Sequence, residues 1–84
     1  MDWRQHIEQR PDVMLGKPVI RGTRLTVELI LEDLAEGASE GDMLEAYPNL
    51  RPEHIRAALA YAAASLSSEL TIFQDAAAGV APIT

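Results

Sequence analysis

Gly16-Lys17-Pro18-Val19-Ile20-Arg21-Gly22-Thr23-Arg24-Leu25-Thr26-Val27 decides how the rest of the chain is arranged. Gly16 and Gly22 tolerate positive φ. Pro18 fixes its own φ and pushes Lys17 towards an extended conformation. Val19-Ile20 is a β-favouring pair between the glycines. Gly22-Thr23 turns the chain, and Thr26 is placed to cap a helix that starts at Val27. The stretch therefore reads as turn, short strand, turn and helix entry, with Lys17, Arg21 and Arg24 crowded into it.

Upstream, His6-Ile7-Glu8-Gln9-Arg10 reads as a short strand and Pro11-Asp12 as a turn, followed by the brief apolar run Val13-Met14-Leu15. Pairing of residues 6–10 with 18–21 would give a small hairpin, which needs helices or a second copy to pack on.

Downstream, three helices are expected. The first runs from about Val27 to Glu36, with Val27, Ile30, Leu31 and Leu34 on one stripe and Gly37 as its stop. The second is short, about Glu40 to Tyr47, with Ser39 as N-cap, Asp42 giving a weak capping box, Met43, Leu44 and Tyr47 on the buried side, and Pro48 ending it. The third runs from about Pro52 to Ser68 behind a poor cap at Arg51, with Ile55, Leu59, Ala62 or Ala63, and Leu66 as its stripe. Short helix, tight turn and long helix make a helix-turn-helix outline. Leu70-Thr71-Ile72-Phe73 reads as a strand or an adhesive tail. The fold class is mainly α: an N-terminal β-hairpin and basic motif (1–26), a three-helix bundle (27–70), both in one domain, and a C-terminal tail (71–84).

The motifs Gly16–Arg24, Leu34-Ala35-Glu36-Gly37-Ala38-Ser39, Tyr47-Pro48-Asn49-Leu50, and Ile55 with Ala58-Leu59-Ala60-Tyr61-Ala62 occur in that order. From about Ile7 to Leu70 the chain resembles a small bacterial family called domain of unknown function 433. The resemblance implies a homeodomain-like, three-helix fold of DNA-binding type behind a β element. It also implies an antitoxin-like role, often beside a PIN-like ribonuclease toxin.

Composition bounds the chemistry. A chain of 84 residues buries only about 60% of its unfolded surface, so it gains from a partner. It has no cysteine, which excludes disulfides, thiolate metal sites and cysteine nucleophiles. No apolar stretch approaches the ~20 residues of a membrane span, and the N-terminus does not read as a signal peptide. A cytoplasmic protein is expected. The net charge of −6 is uneven: residues 1–27 carry +2, residues 28–56 carry −6 and residues 57–84 carry −2. That asymmetry suits self-association or a basic partner as readily as DNA.

No catalytic set is legible, and no cofactor or metal ligand is assigned. His6 and His54 lie far apart in sequence, and Glu32, Asp33, Glu36 and Glu40 read as a solvated helix face. Arg21 and Arg24 have two readings: phosphate or partner contacts, or structural roles, with Arg24 pairing with Glu28 or holding turn carbonyls. The candidate nucleic-acid contacts are Lys17, Arg21, Arg24, Arg51, His54 and Arg56, with Arg56 placed to read a base early in the third helix. Leu70, Ile72 and Phe73 are candidate partner contacts, flanked by Glu69 and Asp75. Trp3 and Phe73 are each either a partner anchor or a cover for the chain's own core. The expected function is a non-enzymatic, homodimeric antitoxin-like regulator that neutralises a PIN-like ribonuclease toxin, with promoter DNA as a further ligand. The alternative is a homodimeric interaction adaptor without DNA binding.

Overall fold

A computed structural model describes the backbone of residues 1–76 and the side chains of residues 1–67. It is mainly helical, with a short two-stranded antiparallel hairpin in front of three helices. Strand β1 (Ile7–Glu8) pairs with β2 (Val19–Ile20) in the register Ile7 to Ile20 and Glu8 to Val19. Gly22 takes φ 79°, which allows the turn that follows β2. Thr23 pins that turn, because its hydroxyl donates to the Ile20 carbonyl at 2.8 Å and accepts the Leu25 N–H at 3.0 Å. The chain then doubles back along β2. Ile20 N–H reaches Leu25 O at 2.8 Å, Val27 N–H reaches Pro18 O at 2.9 Å, and Thr26 bridges Val19. The second edge of β2 is thus covered by its own chain, and among the described residues only the outer edge of β1 stays open.

Helix α1 (Val27–Ala35) begins where the Thr26 hydroxyl accepts the Leu29 N–H. It ends in a Schellman closure: Gly37 at φ 101° donates to Leu34 O and Ala38 donates to Asp33 O. Helix α2 (Glu40–Ala46) has a complete capping box. Asp42 does reach back, accepting the Ser39 N–H at 2.9 Å while the Ser39 hydroxyl accepts the Asp42 N–H at 3.0 Å, so the box is stronger than its short acid suggests. The Tyr47 hydroxyl ties the end of α2 to α1 through Asp33 at 2.9 Å.

Helix α3 (Pro52–Ala76) continues past Ser68 and past the boundary expected at residue 70. Ser65 shows why a serine run does not stop it: its hydroxyl donates to the Tyr61 carbonyl at 3.0 Å and is satisfied inside the helix. The backbone of residues 70–73 is helical rather than extended. The buried stripe of α3 is also rotated from expectation. Ile55, Ala57 and Ala58 are buried, whereas Leu59 is 49% exposed and Leu66 53% exposed. The two alanines let the helix approach the core closely. That core joins Ile7, Val19 and Ile20 of the hairpin to Val27, Ile30, Met43, Leu50 and Ile55. Trp3 covers the chain's own core, with its ring edge-to-face against Tyr61 at 4.9 Å.

Candidate functional site

The N-terminal cations divide by what they hold. Lys17 Nζ meets Glu28 Oε1 at 2.9 Å, and this hydrogen bond raises the lysine's pKa. The expected Arg24–Glu28 pair is not formed, because the hairpin delivers Lys17 to that carboxylate first. Arg21 is the residue that holds carbonyls. Its guanidinium donates to Arg4 O at 3.0 Å, Gln5 O at 3.2 Å and Ile7 O at 3.5 Å, and it lies 3.6 Å from Glu8 Oε1. The five-donor fork of an arginine suits this convergence of acceptors. Arg24 is exposed and has no hydrogen-bond or ion-pair partner among the described residues. It lines a cleft with Tyr47, Pro48 and Asn49, beside the turn between α2 and α3.

At the start of α3, Arg51 is exposed and lies 4.0 Å from Glu53. Arg56 is exposed and unpartnered among the described residues. His54 is not free to act as a phosphate donor through both nitrogens. Its Nδ1 accepts the Arg51 N–H at 3.0 Å and supplies the cap that the arginine could not, which places the proton on Nε2. Its pKa is lowered, chiefly by burial, with Arg51 and His6 adding repulsion and Glu53 opposing them. His6 and His54, distant in sequence, lie with ring centroids 5.8 Å apart. Among the described residues no group of three or more His, Cys, Asp and Glu side chains is arranged to hold a metal. The candidate cations therefore do not form one free patch. Arg24, Arg51 and Arg56 are available, while Lys17, Arg21 and His54 have structural tasks.

A second feature was not legible in the sequence. An open groove of about 470 Å³ runs between α1 and α3, with Val27, Leu31 and Ala35 on one wall and Tyr61, Ala62 and Leu66 on the other. The available signal was the excess of apolar residues on α3 over those one stripe can bury. The side chains of the candidate partner contacts Leu70, Ile72 and Phe73 lie outside the described residues.

These features fall within a recurring sequence pattern. The family model described as "Protein of unknown function (DUF433)" matches residues 7–62, from the first residue of β1 to the middle of α3. The chain belongs to this family. A DUF433 member protein from Anabaena variabilis, known from a crystal structure, superposes with a TM-score of 0.64 at 34% identity, over 67% of this chain and 55% of that one. The uncharacterized protein y4eO of Sinorhizobium fredii is 41% identical over 73 residues, 86% of this chain. This DUF433 chain spans 33% of that relative's length. Every candidate cation and both walls of the groove up to Ala62 lie inside the DUF433 match, whereas Leu66 and the segment carrying Leu70, Ile72 and Phe73 lie beyond it.

Proposed function

We propose that this DUF433 chain is a non-enzymatic, antitoxin-like regulator of a bacterial toxin–antitoxin pair. It acts in the cytoplasm as a homodimer, neutralises a PIN-like ribonuclease toxin and contacts its own promoter. The observation that carries the reading is the α2–turn–α3 unit, with exposed Arg24 and Arg51 beside the turn and Arg56 on the first turns of α3. The charge of −6 fits a chain whose main ligand is a basic protein surface, such as the RNA-facing cleft of a ribonuclease.

Co-expression with the product of the neighbouring reading frame tests the pairing. Co-purification and relief of growth arrest are expected, and a neighbour that neither binds nor arrests growth overturns it. For DNA, the upstream region should shift in a strongly salt-dependent manner. Arg56→Ala should relax specificity at one base pair by about 1–3 kcal/mol, while Arg24→Ala weakens all sequences alike.

The structural engagement of Lys17 and Arg21 favours a second reading, a homodimeric interaction adaptor without DNA binding. Retained partner binding with no mobility shift at low salt selects it.

A further inference from the structure

We propose that the groove between α1 and α3 docks a basic amphipathic helix of a partner protein. This rests on reading the chain as a protein-binding regulator and assigns the surface it uses. The floor is periodic: Val27, Leu31 and Ala35 recur every fourth residue along α1, so they form one ridge, and Tyr61, Ala62 and Leu66 face it from α3. One position on, Glu28 and Glu32 line the groove as an acidic rim, and Glu36, the C-cap of α1, follows at the same interval just beyond it. Lys17 neutralises Glu28, whereas Glu32 and Glu36 are exposed and have no ion-pair partner among the described residues.

The α3 rim carries no opposing charge. No lysine or arginine follows Arg56 in the chain, and the Ser65 hydroxyl is turned onto Tyr61 O. The same face of a second copy therefore brings acid to this ridge, and its one nearby cation, Lys17, is already paired with Glu28. A helix with apolar anchors at i, i+3, i+4 and i+7 fits the floor. Lysine or arginine on one flank would lay its methylene stem along the rim and its charge against Glu32 and Glu36.

The test uses the full chain and a fluorescently labelled helical peptide of about 14 residues with leucines in that pattern and lysines along one flank. Controls are the peptide with glutamine for lysine and a scrambled version. The patterned lysine peptide should bind roughly tenfold more tightly than either control. Glu32→Lys and Leu66→Asp should each weaken it by roughly tenfold or more, with helical circular dichroism intact. Glu45→Lys, an exposed glutamate on α2, should leave it unchanged.

Equal affinity for all three peptides overturns the proposal, as does binding unaffected by Glu32→Lys and Leu66→Asp. A dimer that Leu66→Asp dissolves assigns the groove to a second copy instead. Tighter binding in Ile83→Asp assigns it to the chain's own C-terminal stretch. A neighbouring gene product captured equally by wild type, Glu32→Lys and Leu66→Asp overturns the groove while leaving the antitoxin reading standing. Peptide binding without toxin neutralisation does the reverse.

Discussion

The Nδ1 atom of His54 accepts the backbone N–H of Arg51 at 3.0 Å. A histidine at the third position of α3 thereby satisfies a donor at the helix start, which a Ser or Thr N-cap side chain would leave to an acidic partner in the same place. The bond exists only while Nδ1 is unprotonated, and His6 stands beside the same ring.

Acid should therefore loosen the α2–α3 turn. Folding lowers the His54 pKa from its ordinary 6.5, mainly through burial. Below that value the unfolded chain takes up a proton that the folded chain resists, so stability is complete above pH 6.5 and falls as pH drops through the lowered folded value. Thermal melts from about pH 7.5 to about pH 5 should show this loss in the wild type. In His54→Asn, whose amide oxygen accepts without titrating, the slope should be smaller. Equal slopes in the two proteins would remove His54 as the cause.

Arg21 should matter to stability more than to any ligand. Arg21→Ala removes the donors held against the carbonyls of Arg4, Gln5 and Ile7. We expect a loss of about 1 kcal/mol, reduced from the value of a buried charged bond because the side chain is half exposed. In a domain of this size that lowers Tm by about 4–8 °C. Arg21→Lys should not restore it, because one ammonium cannot span three carbonyls. Arg24→Ala, measured in the same melts, should leave Tm where it was.

The capping box of α2 gives a further prediction. Ser39→Ala should cost about 1 kcal/mol. The Asp42 carboxyl is held below its usual range, first by the Ser39 backbone N–H and then by its side chain. Its contribution is present above pH 3.8 and disappears as pH falls through the lowered value. An Asp42→Asn protein, which keeps an acceptor for the Ser39 N–H without titrating, should accordingly lose less stability on acidification to about pH 3 than the wild type does. A parallel decline in both would show that the box does not respond to acid.

Close packing of α3 depends on small side chains. Ala57 and Ala58 are fully buried against the core. Ala58→Leu should force the helix away and cost about 1–3 kcal/mol, read by chemical denaturation. Leu59→Ala, at a largely exposed position, should change stability far less. An inverted ranking would restore the stripe that runs through Leu59.

Local grammar carried much of this architecture. Thr26 as a cap, Gly37 as a stop and the Val27–Ile30 stripe are decided within a few residues of themselves, and the structure has each of them. Relationships across the chain were hidden. Lys17 takes Glu28 in preference to nearby Arg24 only because the hairpin folds over the start of α1. His6 reaches His54 only once the N-terminal 3-10 turn, Trp3–Gln5, lies on α3. The phase of α3 was ambiguous for another reason: alanines around the helix permit several buried faces, and shape complementarity, which periodicity does not encode, selects the one through Ala57 and Ala58. The groove arises from that choice, since it leaves Tyr61, Ala62 and Leu66 facing Leu31 across an unfilled gap.

The edge-to-face contact between Trp3 and Tyr61 gives the chain a built-in optical reporter. Trp3 is its single indole, and the Arg4 guanidinium sits 4.7 Å from the centre of that ring. Tyr61 touches the indole and also lines the groove. Emission excited at the indole band will therefore register two separate events without any dye: a red shift when the N-terminal turn lifts from α3 into water, and a change in intensity when a ligand entering between α1 and α3 displaces the tyrosine ring.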